Sequence, residues 1–176
     1  MFELIETYSY LGLFAILFIE EAGVFLPIPG DILIASVAAL PSSNYFLTVL
    51  TVIGATLTGS TILFTLSKKF GHHIIRGDSQ VRLGHNLLVK YGKYIKVTPK
   101  KINKIEKWFE KYGGLAIVIG RLIPGLRIVT PVVAGLLRVS YKTFWLYTTL
   151  AALIWVNIYF VIGRFFGNIL TKLLIN

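Results

Sequence analysis

Apolar residues along the chain gather into four runs, at roughly 10–40, 45–67, 113–137 and 144–163, divided by short polar links and one long basic segment. The second and fourth runs match the ~20 residues of helix that cross a hydrocarbon core. The first does not. Its 31 residues would rise roughly 46 Å as one helix against a core of about 30 Å, yet they are too few for two crossings and a turn. Near its middle stands Pro27-Ile28-Pro29-Gly30, and proline cannot donate the helical hydrogen bond, so the pattern predicts helix, break, helix, entering and leaving on one side. The run 113–137 repeats this with Pro124-Gly125 and then Pro131, predicting a second re-entrant hairpin.

The two halves share one order of features: apolar run, Pro-Gly break with a charge at or just after it, small residues, polar link, long span. The small-residue runs end Ala38-Ala39-Leu40 and Ala134-Gly135-Leu136. The fold class expected is all-α integral membrane, one domain over 1–176. Repeat one covers about 10–67, a basic cytoplasmic loop 68–111, and repeat two about 112–165. With the loop cytoplasmic, the first hairpin enters from outside and the second from the cytoplasm, which makes the repeats inverted.

Composition strengthens this picture. The chain is 55% hydrophobic, with a mean hydropathy of +0.73, outside the range of an ordinary soluble domain. The first run lacks a charged leader and contains three carboxylates, a poor pattern for a cleaved signal peptide. No cysteine is present, so there is neither a disulfide framework nor thiolate chemistry. Of the formal charge of +10, residues 68–111 supply 12 Lys/Arg against 3 Asp/Glu, or +9, and the positive-inside rule makes that loop cytoplasmic. A basic segment set between membrane spans answers to topology and anionic headgroups, so no nucleic-acid partner is expected. Arg164 and Lys172, which this topology places outside, run against the charge bias.

Within the loop, Thr98-Pro99 predicts a helix start, Thr as the cap and Pro in the first position. Ile102, Ile105, Trp108, Phe109 and Tyr112 then recur on one face with lysines on the other. The expectation is a cytoplasmic amphipathic helix at the membrane surface that presents the second hairpin; the same pattern would also suit packing on a partner protein.

Five charges fall inside the hairpins: Glu20, Glu21, Asp31, Arg121 and Arg127. Each costs ~2.5–3.5 kcal/mol at a helix centre, on the order of 10–18 kcal/mol together, so they demand compensation. The first repeat supplies only acids and the second only bases, which predicts that the hairpins meet at mid-membrane and neutralise each other. A plain salt-bridge lock would satisfy that requirement, but apolar residues lock helices as well at lower cost. Broken helices expose amides and positive dipole ends after Pro29-Gly30 and Pro124-Gly125, and Arg121 and Arg127 add planar donors suited to phosphate. The expected phosphate site is therefore Arg121, Arg127, Gly30 and Gly125. Three acids against two bases leave one negative charge over, so Glu20, Glu21 and Asp31 are the candidates for coupling to H⁺ or Na⁺.

His72, His73 and His85 lack metal-like spacing to acids, and no metal or other cofactor is expected. Ser36, Thr130 and Thr143 have no base near them in sequence, so no catalytic residue is assigned. Gly54, Ala55, Gly59 and Ser60 read as small residues for close helix packing, and Trp145, Tyr147, Trp155 and Tyr159 as interface anchors or pocket walls.

Glu20-Glu21-Ala22-Gly23, Pro27-Ile28-Pro29-Gly30-Asp31, Tyr112-Gly113-Gly114, Gly120-Arg121-Leu122-Ile123-Pro124-Gly125-Leu126-Arg127 and Ala134-Gly135 together resemble the DedA family, also called the SNARE-associated or VTT-domain family. The likeness covers roughly 10–165, departing at Leu122, where Phe is usual, and at Arg138-Val139, where Met is common. It implies a multi-pass bacterial or archaeal plasma-membrane protein with opposed re-entrant hairpins. It further implies a flippase or scramblase for undecaprenyl phosphate or phosphatidylethanolamine, dependent on the proton motive force. It places the functional charges at Glu20 or Glu21, Asp31, Arg121 and Arg127. Two arginines suit an exposed phosphomonoester better than a zwitterion, so undecaprenyl phosphate is the first expectation and phosphatidylethanolamine the second. A lipid phosphatase or a non-transporting assembly factor are the readings from other classes. The oligomeric state stays open, with a homodimer admissible.

Overall fold

A computed structural model describes residues 2–24, 26, 29–40, 42–75, 99–123 and 125–175, which form helices and turns. In chain order these are α1 (Phe2–Glu21), α2 (Gly30–Ala39), α3 (Tyr45–Ile75), α4 (Pro99–Tyr112), α5 (Leu115–Leu122), α6 (Val129–Leu136) and α7 (Tyr141–Ile175). Helices α3 and α7 carry apolar segments long enough to cross a membrane, Tyr45–Lys69 and Tyr141–Gly167. Both extend beyond the expected spans, because nothing in the flanking polar residues breaks a helix. Their starts are fixed by caps. The Asn44 side chain accepts from the amides of Phe46 and Leu47, and the Ser140 hydroxyl from that of Thr143.

Helix–break–helix units stand at both predicted places, between Glu21 and Gly30 and between Leu122 and Val129. Pro29 is extended before Gly30, at φ −63° and ψ 134°, while Pro27 and Pro124 lie outside the described residues. So do His85, Thr98 and the side chains of His72, His73 and Ile102. Helix α1 begins at Phe2, well before the apolar run, since its first turns hold no helix breaker. Gly125, at φ 79°, precedes α6 by a full turn and so does not sit at the helix N-terminus.

The long helices run antiparallel. Tyr45 meets Asn157 and Phe160, while at the far end Thr61 receives the Trp145 indole N–H and Thr65 the Tyr141 hydroxyl. Both arms of the first hairpin open at the end where α3 begins. There the Tyr10 hydroxyl meets the Asn44 backbone and the Arg164 guanidinium donates to the Leu40 carbonyl. The second opens at the opposite end, where Gly114 lies under Tyr147 and Lys68 donates to the Val139 carbonyl. Each first arm packs on its own long helix, and each second arm on the long helix of the other half. Exchanging the halves leaves this pairing unchanged. Arg164, contrary to the charge bias in the sequence, thus has a local role, a cation on the C-terminal end of α2 as Lys68 is beyond α6.

Close packing of α2 on α7 depends on small residues. A side chain at Gly163 would run into the Ala35 carbonyl, and one at Gly167 into that of Ala39. Gly163→Leu is expected to cost about 1–3 kcal/mol by overpacking, read as an earlier thermal midpoint in detergent. Gly12→Leu, in open space within α1, should not lower the midpoint, since it removes a helix penalty of about 0.5–1 kcal/mol without a clash.

Helix α4 packs on the second hairpin along part of its apolar face. Its Ile105 is buried against Leu126, Val129 and Val133, with Trp108 and Phe109 partly buried beside it, so part of the apolar face covers the second hairpin, as a helix that presents that hairpin requires, while Tyr112 stays 41% exposed. Lys104, Lys107 and Lys111 face outward.

Candidate functional site

The ends of α1 and α5 bring opposite charges together. Gly59 of α3 carries α1 so closely that a side chain there would strike the Phe18 carbonyl and the Glu21 side chain, and this contact points Glu21 inward. Glu21 is 1% exposed at its side chain and Arg121 3%. The Arg121 Nη2 lies 2.7 Å from Glu21 Oε2. Arg127, in the turn before α6, donates its Nε–H to Glu21 Oε1 at 2.5 Å. Its Nη2 is also 2.5 Å from that oxygen but off the N–H direction, and so is an ionic contact without a hydrogen bond. One carboxylate thereby neutralises parts of two guanidinium groups, a charge-assisted arrangement.

Asp31 completes the cluster from α2. Its Oδ1 stands 3.4 Å from Arg127 Nη1, the longest of the ion pairs, and its Oδ2 accepts the Tyr159 hydroxyl at 3.1 Å. Asp31 is 30% exposed and Arg127 13%, so the cluster is buried at Glu21–Arg121 and open at Asp31–Arg127. The guanidinium carbon of Arg127 lies 3.6 Å above the Trp155 ring centroid, a cation–π stack that holds the fork in place. Gly59 and Trp155 both stand near the centres of their apolar segments, whose midpoints are Leu57 and Ile154.

Glu20 points elsewhere. Its Oε2 accepts the Gly30 amide at 3.1 Å, closing the N-terminus of α2 as a side-chain cap does. Among the described residues it makes no ion pair. The sequence left Glu20 and Glu21 undivided; the structure turns Glu21 to the arginines and Glu20 to α2. A phosphate reaching the Gly30 amide would have to displace Glu20, while the two arginines stand within the charge cluster itself. Trp155 and Tyr159 wall the cluster on the α7 side. Their i, i+4 spacing puts both on one face of α7, against Arg127 and Asp31. Arg121 Nη1 is buried with no hydrogen-bond partner among the described residues.

Residues 28–165 match the VTT domain. The chain belongs to the VTT-domain (DedA) family. It is 31% identical over 170 residues to the uncharacterized membrane protein YbfM of Bacillus subtilis, covering 95% of this chain and 96% of that one. It is 30% identical to protein DedA of Escherichia coli K12, covering 95% and 74% of the two chains. It is 31% identical to undecaprenyl phosphate transporter A of Staphylococcus aureus, covering 97% and 82%. No solved structure matches. With the apolar spans of α3 and α7, the family makes this a membrane protein.

Proposed function

We propose that this VTT-domain protein moves a phosphate-bearing lipid between leaflets of the plasma membrane, polyprenyl phosphate first. Family membership and the transporter names among its relatives support a transporter-like role rather than an enzymatic one. The observation that carries the reading is Arg127, half committed to Glu21 and half to a partly exposed Asp31, at the middle of two apolar spans. A structural lock gains little from a charge pair left partly exposed, which contributes only ~0–1 kcal/mol. Here one guanidinium stays within reach of a ligand while Glu21 and Arg121 hold the rest of the cluster sealed.

In this reading the hairpins are re-entrant and the repeats inverted, consistent with antiparallel α3 and α7 and hairpins opening at opposite ends. Lipid phosphate displaces Asp31 from Arg127, since their 3.4 Å contact is the loosest in the cluster. The released carboxylate takes up H⁺ or Na⁺. The five charges sum to 2 − 3 = −1, so Asp31 and Glu20, neither enclosed by two arginines, are the groups able to carry that ion. Phosphatidylethanolamine is the second cargo, favoured by the Asp31–Tyr159 pair, which would suit an ammonium beside a phosphate on Arg127.

The test is leaflet exchange in proteoliposomes with labelled polyprenyl phosphate and phosphatidylethanolamine side by side. Wild type should exchange polyprenyl phosphate faster, Arg127→Ala should exchange neither, and Asp31→Asn should lose the response to pH or sodium gradients. Full flux in Asp31→Asn with an unchanged gradient response would refute the coupling. Release of inorganic phosphate by the purified protein would replace transport with a phosphatase, and lipid binding without exchange would indicate an assembly factor.

A further inference from the structure

Along the seam between α2 and α7 runs a groove of about 330 Å³ that starts at the open side of the charge cluster. Asp31 and Tyr159 form its polar end. From there it follows α2 to the helix's last turn, eight residues or roughly 12 Å. Its walls are apolar: Ile32 is 57% exposed, Ile162 40% and Phe166 59%, so it opens sideways to the surroundings of the helices. The Ser36 side chain, although a lining residue, turns its hydroxyl back to the Ile32 carbonyl at 2.8 Å and withdraws its polarity from the groove. The small residues that let α2 lie directly on α7 make the floor continuous, leaving a valley rather than a gap.

We infer that this groove seats one hydrocarbon chain of the lipid whose phosphate is held by Arg127. The inference rests on the proposed lipid-transport reading and adds to it that the chain, as well as the headgroup, is recognised. Two features combine to assign the occupant. The apolar walls suit a hydrocarbon chain, and the polar end leads through Asp31 to Arg127, 3.4 Å away. A molecule with a phosphate at one end and a flexible apolar chain at the other meets both at once. A free phosphate would leave the groove to bulk lipid, and a neutral lipid would leave Arg127 on Asp31.

The test uses the full-length protein in phosphatidylcholine vesicles with two photoreactive probes, hexadecyl phosphate and hexadecanol, each bearing a mid-chain diazirine. Adducts are mapped by mass spectrometry. The phosphate probe should label the segments around Ile32, Ile162 and Phe166 above the alcohol probe, and in Arg127→Ala its labelling should fall to the alcohol level. Ser36→Trp and Ile162→Trp, which fill the groove from opposite walls, should each lose these adducts, whereas Leu50→Trp on the exposed side of α3 should keep them. Equal labelling by the two probes in wild type would overturn the inference, since ordinary surrounding lipid would then explain the groove. So would phosphate-probe adducts that map elsewhere while exchange still depends on Arg127, and in that case the transport reading survives alone. Arg127-dependent labelling of the groove in a protein that exchanges no lipid would do the reverse, keeping the chain seat and removing transport.

Discussion

Glu21→Gln is expected to be severely damaging, costing about 3–5 kcal/mol. The side chain is 1% exposed and touches both arginines, so an amide in its place leaves Arg121 enclosed with no counter-charge. An enclosed, unpaired cation is much worse than no cation. Glu21→Gln combined with Arg121→Gln should therefore recover a large part of the loss, because the pair is removed together. Thermal unfolding in detergent checks this through a double-mutant cycle. Additive losses from the two single substitutions would show that the 2.7 Å contact does not couple them. Glu20→Gln should cost far less, since its partner is the Gly30 amide and a glutamine oxygen still accepts that hydrogen bond.

Arg127→Lys is expected to abolish most lipid exchange, by tenfold or more, while leaving the thermal midpoint close to wild type. Charge is retained, and Glu21 still has Arg121. What disappears is geometry: lysine has neither the planar fork for two-point phosphate contact nor the flat face that stacks on Trp155 at 3.6 Å. Exchange assays on the variant beside Arg127→Ala separate fork from charge. If lysine supported exchange at the wild-type rate, a point charge would suffice and two-point recognition of phosphate would be wrong.

Much of this architecture was legible in the chain. Segregation of acids into one half and bases into the other foretold where the halves would meet, because charges in apolar runs have few ways to be compensated. The Pro-Gly motifs marked both helix breaks. Other features depend on rotation of one helix against another, which spacing alone does not carry. Glu20 and Glu21 are adjacent and equivalent in pattern, and only the fit of Phe18 and Glu21 against Gly59 decides which faces the arginines. The apolar face of α4 would serve equally on a bilayer or on protein, and only the structure shows Ile105 turned to Leu126, Val129 and Val133 of the second hairpin. Helix ends are illegible for a third reason. Hydropathy marks where a chain is apolar, while α1, α3 and α7 continue into polar residues that are still helical.

The proposed capture of a headgroup at Arg127 can be tested directly through Trp155, which Arg127 covers. The chain has three tryptophans, so Trp108→Phe with Trp145→Phe leaves Trp155 as the single reporter. Titration with hexadecyl phosphate in vesicles should give a saturable change in its emission as phosphate takes the place of Asp31 on the guanidinium stacked over the indole, with no change for hexadecanol and none after Arg127→Ala. Identical responses to phosphate and alcohol, or a phosphate response that persists without Arg127, would contradict the central claim that this arginine receives the lipid phosphate.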